Sequence, residues 1–120
     1  MIVAGFGFRA GATPASLHAA LAATRARPDA LAAPTDKCAT PAFRAFAGAL
    51  GLPVHEIPEA AIRAAQTLTH SPRVQAERGT GSVAEAAALS AVGKGARLTC
   101  PRMVSPDRMA TCAIAEGIPR

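Results

Sequence analysis

The sequence predicts an α/β fold: a three-layer α/β/α sandwich on a mostly parallel, mixed sheet of about five strands. Three observations carry this expectation. Short apolar runs alternate with segments of helical period in the order β-α-β-α-β-α-α-β-β, which a parallel sheet covered on both faces satisfies. Two Thr-Pro steps, Thr13-Pro14 and Thr40-Pro41, each place an N-cap before a proline at the first helical position. The last two apolar runs are separated by a turn-rich stretch, the pattern of an antiparallel hairpin at a sheet edge.

Taken in order, Ile2-Val3-Ala4 reads as a buried strand that enters a glycine-rich loop, Gly5-Phe6-Gly7-Phe8-Arg9-Ala10-Gly11. Leu17, Ala20, Leu21 and Thr24 fall at helical spacing, so a helix runs from Pro14 to about Arg27 and stops at Pro28. Residues 29–33 form a strand of small residues ending at Pro34-Thr35-Asp36-Lys37. A second helix follows Thr40-Pro41 with Phe43, Phe46, Ala47 and Leu50 on one face, closed by Gly51. Residues 53–57 are a short strand, and Pro58-Glu59 opens a third helix with Ala61, Ile62 and Ala65 inward. Residues 67–78 have no clear period and read as a loop. Gly79-Thr80-Gly81-Ser82 is a second glycine loop, and Ser82 to Glu85 forms a capping box into an alanine-rich helix over 83–92. Residues 97–100 form a strand, 101–108 a turn-rich loop and 109–115 the final strand.

Composition bounds the function. The 120 residues predict a single domain over 1–120. Half are hydrophobic, but 31 are alanine, so the core is adequate rather than generous. Aromatics are 3%, with no Trp or Tyr, which argues against a module that stacks nucleic-acid bases. No apolar run approaches the roughly 18 residues of a membrane span, and no basic leader opens the chain, so the expected location is cytoplasmic. The net charge is +5 and eleven of the thirteen cations are Arg. An Arg-rich solvated surface explains this, and so does a ligand rich in carboxylates or phosphates, which guanidinium forks match. Cys38, Cys100 and Cys112 form no C-x-x-C, and His18, His55 and His70 are not paired at i, i+4. Neither a metal nor another cofactor is expected.

In an open parallel sheet, ligands bind beyond the carboxyl ends of the strands. Gly5, Gly7 and Arg9 follow the first strand and Asp36-Lys37 follows the second, so both should lie on that edge. Gly5-x-Gly7-x-x-Ala10 fits a dinucleotide fingerprint, but Asp36 comes late for it and the full two-half fold does not fit in 120 residues. The loop Gly79, Thr80, Gly81, Ser82 before a helix could hold an anion with free backbone N–H groups, or Ser82 and Glu85 could serve only as a cap. Asp36 is either half of a surface pair or an acid–base group beside the cation Lys37. No G-x-S-x-G elbow is present.

Several of these segments together resemble a known family. The opening Gly5-Phe6-Gly7-Phe8-Arg9-Ala10-Gly11, the Thr35-Asp36-Lys37 step, Ser71-Pro72-x-Val74 and above all Gly79-x-Gly81-Ser82-Val83-Ala84-Glu85-Ala86-Ala87-Ala88-Leu89 look like the CobE/CbiG C-terminal domain family of cobalamin biosynthesis. The resemblance covers nearly the whole chain, and its glycine-to-helix stretch is the most specific part. It implies a three-layer α/β/α domain acting on corrin-ring precursors, similar to the stand-alone CobE form of the aerobic pathway. The expected ligand is a precorrin intermediate, with other pathway enzymes as further partners and neither nucleic acid nor membrane. The alternative it implies is a hydrolase on a precorrin-5A-type δ-lactone, losing a two-carbon fragment, with Asp36 or Glu85 as base. Gly5, Gly7, Arg9, Lys37, Ser71, Gly79, Thr80, Gly81, Ser82 and Arg102 are the expected ligand contacts. Members of the family it resembles usually carry a Lys just after the penultimate strand, where this chain has Pro101-Arg102.

Overall fold

The structure, a computed structural model, describes residues 1–69, 83–93 and 95–117. Five strands form one sheet in the order β3-β2-β1-β5-β4. They are β1 Ile2–Phe8, β2 Ala30–Pro34, β3 Val54–Ile57, β4 Arg97–Val104 and β5 Ala110–Glu116. β1, β2 and β3 run parallel, β5 lies antiparallel to β1, and β4 and β5 form the edge hairpin. The helices are α1 Pro14–Thr24, α2 Thr35–Cys38, α3 Pro41–Leu50, α4 Glu59–Thr69 and, over Val83–Val92, α5. This is the mixed α/β architecture that the alternation of periods requires.

Local signals act at the positions that carry them. Thr13 caps α1 in a capping box with Ser16, each side chain accepting the other's backbone N–H, and Pro14 follows at the first helical position. Gly51 ends α3 in the left-handed conformation at φ 67°, donating its N–H to the Ala47 carbonyl. Thr40 precedes α3 in extended conformation, but its hydroxyl donates to the Lys37 carbonyl instead of capping the helix. α1 stops sooner than expected: Arg25 takes φ 58°, so Pro28 is not what ends it.

Alternation along the strands sorts the core into two layers. On one face Ala4, Phe6, Leu31, Ala33, Cys112 and Ile114 meet Leu17, Phe43 and Phe46 of α1 and α3. On the other, Val3, Ala30 and Ala32 meet Ile57, Ile62 of α4 and Ala86 and Ala87 of α5. Gly5 points at the second face. A Cβ there would lie 2.2 Å from the Ala84 carbonyl oxygen and 2.4 Å from the Ala88 nitrogen, so the backbone of α5 rests directly on β1.

That contact corrects the first glycine loop. Gly5 and Gly7 lie inside β1, paired with Ala113 and Thr111 of β5, and the loop begins only after Phe8. Gly5 marks the close approach of a helix, which a local reading takes for a turn. A second correction concerns β4, which continues through Pro101 to Val104 rather than ending at Cys100. Pro101 is tolerated because β4 is an edge strand whose register shifts between Cys100 and Met103. The same shift sets Cys100 opposite Ile114 and Met103 opposite Cys112, so the two cysteines are not direct partners across the hairpin. α4 also runs on to Thr69, beyond the start of the expected loop.

Candidate functional site

The carboxyl ends of β1, β2 and β3 define one edge of the sheet, and the turn between β4 and β5 lies on the same edge because β5 runs antiparallel to β1 and begins there. Arg9 is the first residue beyond β1. Its N–H donates to the Met109 carbonyl at 2.9 Å, extending the β1–β5 ladder by one step. Asp36 and Lys37 form the short turn of α2 that follows β2 directly.

Lys37 reaches toward β1. Its ammonium nitrogen lies 5.3 Å from the centroid of the Phe8 ring, a cation–π contact. Phe8 is half-buried and stacks on Phe43, with centroids 5.8 Å apart and planes 3° from parallel. A cation and a partly exposed aromatic from separate segments thus meet at the end of β1.

α5 starts on this edge too. A Cβ on Gly7 would lie 3.4 Å from the Val83 Cβ, and Gly5, deeper in the strand, lies under Ala84 and Ala88. α5 therefore runs antiparallel to β1, and its N-terminal end, where the helix dipole is positive, faces the carboxyl edge. Ser71, Gly79, Thr80, Gly81 and Ser82 lie outside the described residues.

Glu85 lies at the start of its helix as expected, while Arg102 sits elsewhere. Arg102 lies within β4, not in a loop beyond it, and its backbone N–H donates to Glu85 Oε2 at 3.2 Å. Glu85, in the first turn of α5, thereby satisfies a donor of the irregular stretch of β4. Asp36 follows β2 and Glu85 reaches β4, with β1 and β5 between them. At about 4.8 Å per strand step, roughly 14 Å separates those strands. The two carboxylates are not a pair acting on one bond.

The residues that sequence reasoning missed are in the β4–β5 turn. Asp107 accepts three hydrogen bonds: from Ser105 Oγ at 2.5 Å, from the Met109 N–H at 3.0 Å and from Ser16 Oγ at 2.6 Å. The Ser105 hydroxyl, the Ser16 hydroxyl and the Met109 N–H, in that order, hold its carboxyl below the ordinary aspartate range. Ser105 and Ser16 are buried, and Ser105 Oγ also accepts the Ala110 N–H. The α1 capping box, the turn and the start of β5 are one hydrogen-bonded unit. Its only trace in the sequence is the turn composition of Ser105-Pro106-Asp107.

The two buried thiols, Cys38 and Cys112, are not poised for chemistry. Burial, with Glu56 adding to it, pushes Cys38 up to about 11, and burial pushes Cys112 higher. Among the described residues no three His, Cys, Asp or Glu side chains converge as a metal site would require. Nor, among them, is any helix long and apolar enough to cross a membrane.

Comparison with known proteins assigns the lineage. The family model CbiG_C, described as cobalamin synthesis G C-terminus, matches residues 2–115. Among solved structures, cobalamin biosynthesis protein chiG from Agrobacterium tumefaciens str. C58 is similar, with 34% identity and TM-score 0.79 over 99% of this chain and 100% of that one. CobE, a protein from the cobalamin (vitamin B12) biosynthetic pathway, is similar with 32% identity and TM-score 0.77, over 98% of this chain and 91% of that one. No curated protein sequence matches. With the family model spanning nearly all of the sheet and both solved relatives sharing its fold, the chain belongs to the CbiG C-terminal family and is a cobalamin biosynthesis protein of the CbiG/CobE type.

Proposed function

We propose that the protein binds a corrin-ring precursor along the carboxyl edge of its sheet, as a carrier, chaperone or accessory component of cobalamin biosynthesis. The observation that carries this reading is the meeting of Lys37 with the half-exposed Phe8 at the end of β1. A macrocycle offers an apolar face to an aromatic ring and a rim of acetate and propionate carboxylates to cations. Arg9 and the N-terminal end of α5 add positive charge on the same edge. Gly5, buried under α5, is left out of the contact surface, and the Arg102 backbone is joined to the first turn of α5 through Glu85.

Titrating the purified protein with a late precorrin and following its absorption spectrum tests the reading. A stoichiometric spectral shift without turnover is expected. Conversion of excess ligand would instead establish the hydrolase alternative, in which Asp36 or Glu85 is the base. The electrostatic part is tested by Arg9→Ala/Lys37→Ala against Arg25→Ala/Arg27→Ala at the opposite end of the sheet. After solvent screening, each edge contact contributes about 1 kcal/mol, so the first pair should weaken binding more than about tenfold. The second pair should change it little, and wild-type affinity should fall as salt rises. Equal losses in the two double variants would remove the proposed edge.

A further inference from the structure

We infer that Arg108, at the tip of the β4–β5 turn, is a further carboxylate-binding residue of this edge, and that Asp107 is the positioning residue that holds it there. The inference rests on the proposed binding of a carboxylate-rimmed macrocycle and adds to it a cation that the sequence did not single out.

Four observations converge on this turn. Arg108 is exposed and adopts φ 62°, a left-handed conformation that glycine or asparagine takes more readily than arginine. Such a conformation persists only where its surroundings over-determine it. Those surroundings are on hand: the Arg108 N–H donates to the Ser105 carbonyl at 2.8 Å, and Asp107 beside it is tied to Ser105, Met109 and Ser16. The turn is also joined to the first cation of the edge, because the Arg9 N–H donates to the Met109 carbonyl next to Arg108. Among the described residues, neither Arg9 nor Arg108 forms an ion pair. Two guanidinium side chains thus leave from hydrogen-bonded neighbouring segments, on a frame held by a buried serine of α1 and a buried serine of the turn.

The arrangement suits a ligand carrying several carboxylates around a rim. Guanidinium forks bind carboxylates bidentately, and a fixed backbone reduces the ordering needed on binding. Asp107 has opposite consequences under two views. As a bare negative charge it would repel an anionic ligand, so its removal would tighten binding. As a positioning residue it holds the turn that presents Arg108, so its removal weakens binding despite the gain in positive charge.

The probe is uroporphyrin, an octacarboxylate tetrapyrrole, titrated by its absorption change, with protoporphyrin, a dicarboxylate, as the apolar-face control. Arg108→Gly removes the guanidinium and relieves the left-handed backbone, so its folding is preserved while its binding is tested. Uroporphyrin affinity should fall about fivefold in Arg108→Gly, stay within about twofold of wild type in Arg27→Ala, and recover in part in Arg108→Lys. Protoporphyrin binding should change far less. Asp107→Ala, checked for folding by circular dichroism, should also weaken uroporphyrin binding. Wild-type affinity in Arg108→Gly, or equal losses in Arg108→Gly and Arg27→Ala, would overturn the role of Arg108 while leaving the corrinoid reading in place. Tighter binding in Asp107→Ala would overturn the positioning role. If wild type binds neither uroporphyrin nor a late precorrin, the corrinoid reading and this inference fall together.

Discussion

The two faces of the sheet solve the same packing problem in opposite ways. On the α1/α3 face the space is filled: Phe6 lies edge-to-face against Phe43 and Phe46, with ring centroids 5.9 and 5.1 Å away, and Leu17 and Leu31 complete the layer. On the α4/α5 face the space is removed. Ala84, Ala86, Ala87 and Ala88 are all buried, and α5 lies so close to β1 that Gly5 touches its backbone. Volume loss should be the damaging change on the first face and volume gain on the second, since interiors are close-packed and relax only partly in either direction. The alanine face also fixes the start of α5 close to the strand end, so tight packing and site geometry have one cause.

The largest expected effect is Gly5→Val. The clash is with backbone atoms of α5, which cannot swing aside as a side-chain tip would, so the variant should fail to accumulate as folded protein. A cooperative thermal transition at the wild-type temperature would show that α5 can move off the sheet. Next is Phe46→Ala, which empties space on the aromatic face and should destabilise by about 3–5 kcal/mol in urea unfolding. A loss below about 1 kcal/mol would mean that His18 and Phe43, which flank that ring, close the cavity.

Acid exposes the device that ties the aromatic face to the site. Asp107 titrates below its usual value of 3.8 in the folded chain. Its stabilising contribution is therefore complete at neutral pH and is lost as pH falls below about 4 and through the lowered folded value. Asp107→Asn should flatten the acid limb of stability below about pH 4, read as urea midpoints, and leave the profile above about pH 5 parallel to wild type. An unchanged acid limb would assign that limb to other carboxylates. The smallest effect is Gly48→Ala. Gly48 is exposed within α3, and a Cβ added there would meet nothing within 4 Å, so the change should stabilise by about 0.5–1 kcal/mol. Added side-chain volume at Gly5 and at Gly48 should thus act with opposite sign, which is the sharpest form of the comparison.

The locally encoded parts of the molecule were legible. Thr13-Pro14 and Gly51 act through bonds and sterics within a few residues, and the Phe43/Phe46 stripe follows from helical period alone. The alternation of periods determines the α/β class, and the placing of Arg9 and Lys37 after parallel strands determines their shared edge. What tertiary structure decided involves contacts that sequence spacing does not encode. β1 runs on through Gly5 and Gly7 because β5 pairs with it and α5 needs the missing side chain at Gly5, while β4 passes through Pro101 because an edge strand can bulge. Ser16 and Asp107 are 91 residues apart, so only the folded hairpin could reveal that a helix cap and a turn aspartate share a hydrogen bond. Local sterics and periodicity are written into neighbouring residues; close approach and shared polar satisfaction come into being when distant segments meet.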